Sequence, residues 1–81
     1  MLHFTRYPAD KSQFGVETHE AQDASGNVYA ALKRGQGWLG RVYDPDWQLI
    51  HTVDWSDHRV HIDEMRKWLT RLSDTGELVA A

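Results

Sequence analysis

The sequence predicts an α+β domain in which a four- to five-stranded antiparallel meander carries one C-terminal helix packed on one face. Three observations support this prediction. Apolar and polar residues alternate in several short stretches, as they do in half-buried strands. Clusters of turn-forming residues separate those stretches. After residue 56 the apolar residues recur instead at spacings of three and four, as along one face of a helix.

The N-terminal half of the chain predicts three strands. Residues 2–7 alternate and end at Pro8, which has no backbone donor, so we expect a short edge strand there. Residues 14–20 alternate again and run into the turn formers of residues 23–27. Residues 28–33 follow as the third strand, which makes this pair of strands a hairpin.

The stretch from Trp38 to Trp55 predicts a second hairpin, because alternating residues flank an Asp-Pro-Asp break. Its register depends on the loop at residues 34–37. A two-residue loop would place Ala30 opposite Arg41, whereas a three-residue loop keeps one face apolar, and we therefore prefer the longer loop. The side chains expected to face the helix are then Val28, Ala30, Leu32, Trp38, Gly40, Val42, Leu49, His51 and Val53.

The C-terminal segment predicts a helix from about Asp57 to Ser73. Its apolar stripe consists of Ile62, Met65, Leu69 and Leu72. Ser56 or Asp57 is the expected N-cap, and acidic residues early and basic residues late in the segment suit the helix dipole. Gly76 is placed to end the helix.

Length and composition restrict the classes of function. A chain of 81 residues fits one domain, which we expect to span residues 1–76 with a flexible tail at 77–81. So small a core seldom encloses a ligand cavity, which predicts a protein without enzymatic activity or cofactor. The sequence lacks cysteine and any long apolar run, which predicts a cytoplasmic protein without disulfides or a membrane span.

The residues with catalytic or metal-binding chemistry form no diagnostic motif. Ser56, His58 and Asp54 make a hydrolytic triad only on paper, because no nucleophile elbow holds the serine. Together with Asp54 and Asp57, three histidines could approach one another near the start of the helix: His51, His58 and His61. Their spacing lacks the glutamate of zinc-hydrolase helices, so we expect no metal and read them as hydrogen-bonded side chains.

Acidic residues are concentrated between residues 44 and 65, where Arg59 is the one basic side chain. Two tryptophans lie among them, and indole rings are common anchors at protein interfaces. The predicted partner-binding residues are Asp44, Asp46, Trp47, Asp54, Trp55, Asp57, Asp63 and Glu64. They suit a protein partner with a basic surface, since charge would steer the encounter and the indoles would anchor it. An ordinary solvated acidic loop remains the alternative.

The outer face of the sheet provides a second candidate surface. In the preferred register it carries Tyr29, Lys33, Leu39, Arg41, Tyr43 and Ile50. Basic and aromatic side chains of this kind bind nucleic acid, but a formal net charge of −3 argues against that partner. Leu39 and Ile50 could instead mediate self-association, so both a monomer and a homodimer are compatible with the sequence.

The sequence therefore predicts a small acidic binding protein that acts as a stoichiometric inhibitor or regulator. It would occupy a basic surface of a partner protein, for example one that otherwise holds nucleic acid. Short, compact, acidic chains of this kind suit phages and other mobile elements as inhibitors of host machinery, CRISPR effectors included. That comparison with anti-CRISPR proteins is an analogy of size and charge alone.

Overall fold

The computed structural model describes residues 2–75, which form five strands and one helix. Their bounds are Thr5–Tyr7 (β1), Thr18–Gln22 (β2), Val28–Arg34 (β3), Gly37–Tyr43 (β4), Leu49–Asp54 (β5) and, for the helix α1, Ile62–Thr75. The strands form one antiparallel sheet in which spatial order follows sequence order. The predicted meander with a C-terminal helix is confirmed. Gly76 and the tail predicted at 77–81 lie outside the described residues.

The main core lies between α1 and one face of the sheet. Met65, Leu69 and Leu72 are buried at the spacing that the sequence predicts. They pack against side chains of the N-terminal segment and of β2, β3 and β4: Leu2, Ala21, Tyr29, Ala31, Trp38 and Val42. Gly40 lies beneath Met65, where a Cβ atom would come within 2.8 Å of the Met65 sulfur. Glycine at this position lets the helix lie close to the sheet.

The opposite face of the sheet is covered by the segment between β1 and β2. Phe14 and Val16 pack there on three buried residues, Ala30, Leu32 and Leu39. The Phe14 ring also stacks on Tyr43, with a centroid distance of 5.9 Å. The prediction that strand β2 begins at Phe14 is therefore wrong, because residues 14–17 cover the sheet and the strand begins at Thr18.

The predicted register between β3 and β4 is wrong by one residue. Leu32 pairs with Leu39, and Ala30 pairs with Arg41, which is the arrangement that a two-residue loop gives. Tyr29 consequently faces the helix, whereas Val28, Ala30 and Leu32 face the other side. The error has a physical cause: the sheet is covered on both faces, so both faces are apolar and alternation does not identify the inner one.

The register between β4 and β5 shifts by one residue between Val42 and Tyr43, as at a β-bulge. His51 and Val53 face the helix as predicted. Leu49 instead pairs with Tyr43, and it is 51% exposed. The inward orientation predicted for Leu49 is therefore wrong, because the extra residue in β5 reverses the direction of its side chain.

The helix begins at Ile62, five residues later than predicted. Neither Ser56 nor Asp57 is its N-cap. The ring atom Nδ1 of His61 instead accepts the backbone N–H of Asp63, at 3.2 Å. A side chain just before the helix that accepts from its second residue is acting as an N-cap.

The residues before the helix are held in a loop by the turn between β3 and β4. The backbone N–H of Gln36 donates to the Ser56 carbonyl at 3.0 Å. A Cβ atom on Gly37 would collide with the carbonyl oxygens of Trp55 and His58, so the missing side chain makes room for the loop. This contact explains why the helix cannot extend back to Asp57.

A buried polar network ties the helix to the sheet. His19 is only 4% exposed, and its ring lies edge-on to Trp38. An Arg66 guanidinium nitrogen donates to its Nδ1 at 2.8 Å, which leaves the proton on Nε2, 3.1 Å from the Glu17 carboxylate. Burial lowers the pKa of His19, and this effect outweighs the hydrogen bond to Glu17. Glu17 also accepts from Arg6, at 3.3 Å.

Candidate functional site

The structure divides the eight predicted contact residues between the two ends of β5. The first group lies in the turn that precedes the strand: Asp44, Asp46 and Trp47. The second group begins at the last residue of the strand and continues beyond it: Asp54, Trp55, Asp57, Asp63 and Glu64. A six-residue strand is about 20 Å long, so the two groups form separate surfaces.

The turn before β5 is built around Asp44. Its Oδ1 atom accepts the backbone N–H groups of Asp46 and Gln48, both at 2.9 Å. The Asp44 carbonyl also accepts the N–H of Trp47 at 2.9 Å, which closes a β-turn. Pro45 is the second residue of this turn, where the proline ring supplies the required φ angle. The Asp44 carboxylate is therefore a turn-forming group as well as a surface charge.

Trp47 lies in this turn with a φ angle of +64°, in the left-handed region. All other positive φ angles in residues 2–75 belong to glycine. The left-handed conformation costs a residue with a Cβ atom about 1–2 kcal/mol. The indole is nevertheless 52% exposed, and its ring contact is with Tyr43, at a centroid distance of 5.6 Å. Backbone strain of this kind is concentrated at functional sites.

Two further apolar side chains lie exposed beside this turn. Leu49 is 51% exposed and Ile50 is 39% exposed. We call the surface formed by the turn and these two residues the hairpin-tip surface: Asp44, Asp46, Trp47, Leu49 and Ile50. Residues 42–58 contain no lysine or arginine. The acidic residues of the hairpin-tip surface therefore have no basic neighbour in that stretch of sequence to neutralise them.

The second group of predicted contacts is more closely tied to the framework. Trp55 is half-buried and packs edge-on against Trp68, with ring centroids 5.7 Å apart. Asp54 accepts the backbone N–H of Ser56 at 2.9 Å. Hydrogen bonds from Ser56 lower the pKa of Asp54, and the charge of Arg34 acts in the same direction. These residues hold the loop after β5 in place.

A groove of about 480 Å³ lies between that loop and the start of α1. Its lining residues are Trp55, His58, Arg59, Val60, His61 and Glu64. It brings the predicted contacts Trp55 and Glu64 together, but it also contains the Arg59 guanidinium and two histidines. This mixed lining lacks the uniform negative charge that a basic partner would select.

The three candidate metal ligands do not form a common site. His51 stacks on Trp68 with ring centroids 5.4 Å apart, and His58 is exposed. His61 uses Nδ1 to cap the helix. Within residues 2–75, no three His, Asp or Glu side chains are grouped so that they could hold a metal ion.

The predicted outer-face surface is dispersed by the corrected register. Tyr29 is buried under the helix, and Leu39 is buried beneath the segment between β1 and β2. Lys33 lies 5.2 Å from the ring centroid of Trp38, on the helix side of the sheet. Arg41 donates to the hydroxyl of Tyr43 at 3.1 Å. Nucleic-acid binding stays a prediction, which a gel-shift titration at two salt concentrations tests.

Comparison of the chain with protein-family models, with curated proteins and with solved structures found no match to any of them. Among residues 2–75, no helix has the length and apolarity needed to cross a membrane. The candidate site therefore depends on the geometry of this chain. The sequence predicts the charge and the indole of the hairpin-tip surface, but it misses Leu49 and the conformation of Trp47. Residues 44–48 contain no glycine, so the sequence carries no signal for the left-handed residue in this turn.

Proposed function

We propose that this protein binds a partner protein stoichiometrically, as an inhibitor or regulator, by docking the hairpin-tip surface on a basic surface of that partner. The conformation of Trp47 is the observation that supports the proposal. A glycine at this position would adopt the same φ angle without steric cost, whereas this chain has a tryptophan there and leaves it half-exposed. An exposed tryptophan at a strained backbone position suits a binding anchor.

The composition of the hairpin-tip surface supports a protein partner. Trp47, Leu49 and Ile50 supply an apolar centre, and the exposed Asp46 supplies charge beside it. Interfaces commonly combine a desolvated aromatic anchor with a polar rim. The negative rim favours lysine and arginine on the partner.

A basic groove that normally holds nucleic acid is one such partner surface. An acidic protein bound there would exclude the nucleic acid by occupying its site. An inhibitor that a phage or mobile element encodes against a CRISPR effector is one instance of this mechanism. Size and charge are the features that support that instance.

Affinity capture with matched variants tests the proposal. Wild-type protein, W47G, D46K and D57K are immobilised, and the proteins captured from a lysate of the native host are quantified by mass spectrometry. D46K and D57K make the same charge change at opposite ends of β5, so D57K is the matched control. We expect a partner that wild type and D57K retain and that W47G and D46K lose. Equal capture by W47G and wild type would show that the hairpin-tip surface is not the binding site.

A further inference from the structure

The two edges of the sheet differ in how they are protected. The edge strand β1 has three residues, includes Arg6 and is followed directly by Pro8. The other edge strand, β5, has six residues, and these contain no lysine, arginine or proline. Among residues 2–75, no strand pairs with the outer side of β5. Edge strands normally carry such residues because unprotected backbone groups pair with other chains.

The hydrogen-bond pattern shows which residues of β5 offer backbone groups at this free edge. The N–H of Trp55 donates to the carbonyl of Trp38, which makes these residues a hydrogen-bonded pair. Hydrogen-bonded and non-hydrogen-bonded pairs alternate along an antiparallel ladder. Val53 therefore bonds to β4, whereas Thr52 and Asp54 direct their N–H and C=O groups away from it. Both of these residues are exposed.

The charges around β5 indicate what kind of strand this edge would accept. Asp44 and Asp46 precede the strand, and Asp54 is its last residue. Pairing with a second copy in either direction would bring acidic ends together, and such like-charge pairs are destabilising. The exposed Ile50 lies between the acidic ends. A complementary strand has an apolar centre and basic residues on both sides.

We infer that the free edge of β5 binds an extended segment of the partner as a sixth strand, with Lys or Arg flanking its apolar centre. This inference rests on the proposed function and adds the mode of binding, since backbone hydrogen bonds would provide affinity and the acidic ends would select the segment. Trp47 would then contact the partner beside the added strand.

A proline substitution separates edge pairing from side-chain contacts. T52P removes an N–H group that faces away from β4, so it costs no hydrogen bond within the sheet, and proline is tolerated at such edge positions. T52A keeps the N–H group and is the control. Circular dichroism and urea unfolding of both variants establish that the sheet is retained.

The ligand in this test is the peptide Lys-Lys-Val-Thr-Val-Thr-Val-Lys-Lys, titrated into isotopically labelled protein and followed by NMR. We expect saturable shifts of the amide resonances of Thr52 and Asp54. Binding should weaken about tenfold in T52P, as the loss of one or two backbone hydrogen bonds implies, and remain unchanged in T52A. A peptide with glutamate in place of every lysine should bind the wild-type protein no more tightly than T52P binds the lysine peptide.

Three results would overturn the inference: no saturable shift at the β5 edge, equal binding by T52P and T52A, or a dimer that T52P dissociates in analytical ultracentrifugation. The capture experiment distinguishes this failure from failure of the proposed function. If T52P retains the partner that W47G loses, the hairpin-tip surface binds through side chains alone. If W47G also retains the partner, the proposed function is wrong.

Discussion

The two turns that flank β4 both contain a residue in the left-handed conformation, but they use opposite kinds of residue for it. In the turn before β4, Gly35 has a φ angle of +56° and packs close to Ser56. In the turn after β4, the position is occupied by Trp47, which is half-exposed. Glycine adopts this conformation freely, whereas tryptophan is strained by about 1–2 kcal/mol. The first turn packs against the framework, whereas the second carries an exposed indole at a strained backbone position.

The largest loss of stability should follow from filling the space between Gly37 and the loop that precedes the helix. In G37A the new Cβ atom would collide with the carbonyl oxygens of Trp55 and His58, which are backbone atoms that cannot move alone. We expect the free energy of unfolding in urea to fall by about 3 kcal/mol, the upper range for overpacking. G15A is the control, because nothing lies within 4 Å of a Cβ there and only its left-handed φ angle opposes alanine. A smaller loss in G37A than in G15A would contradict the role of the first turn.

A smaller effect should separate the structural role of Asp44 from its charge. D44A removes the acceptor for two backbone N–H groups of the second turn and should cost about 1–2 kcal/mol of unfolding free energy. D44N keeps a side-chain oxygen at the same place and should retain most of that stability. Equal losses in the two variants would mean that the charge, and not the acceptor, stabilises the turn.

Acid should weaken the buried network around His19. Because the folded state lowers the pKa of His19 below its ordinary 6.5, the unfolded chain takes up the proton first as the pH falls. Stability should therefore be complete above pH 6.5 and decline below it, by less than about 1.4 kcal/mol per pH unit.

Urea unfolding between pH 8 and pH 5 measures this decline. The charged groups around the ring are Arg66 from α1, Glu17 before β2 and Arg6 from β1. Hydrogen bonds from His19 and Arg6 lower the pKa of Glu17 from 4.5, so its own contribution is lost only at more acidic pH. The variant H19Q should show a flatter profile between pH 6.5 and pH 5. An identical slope in H19Q would assign the acid sensitivity to another group.

The order of strands and the helix stripe could be predicted because they follow from periodicity. Val42 and Val53 lie under the helix as the alternation predicts, and Met65, Leu69 and Leu72 form the buried stripe. The register of β3 could not be predicted in the same way. Phe14 and Val16 cover the second face of the sheet, so both faces are apolar. The alternation of apolar and polar residues then does not show which face lies under the helix.

The candidate site was predicted in composition but not in conformation. The sequence identifies Asp44, Asp46 and Trp47 as an acidic segment with an indole. It does not show that Trp47 adopts a left-handed φ angle, because hydrogen bonds to Asp44 impose the turn without a glycine to signal it. The late start of the helix could not be predicted either, because the close approach of the Trp55 and His58 carbonyls to Gly37 depends on the three-dimensional structure.

The unfolding free energies of W47G and W47A in urea test most directly whether stability is given up to present the indole. Both variants lose the contact with Tyr43, a ring pair worth about 0.5–1.5 kcal/mol. Only glycine adopts this φ angle without strain, so the unfolding free energy of W47G should be about 1 kcal/mol higher than that of W47A. It should also lie within about 1 kcal/mol of the wild-type value. A loss of more than about 2 kcal/mol in W47G would show that Trp47 is a structural residue and would contradict the account.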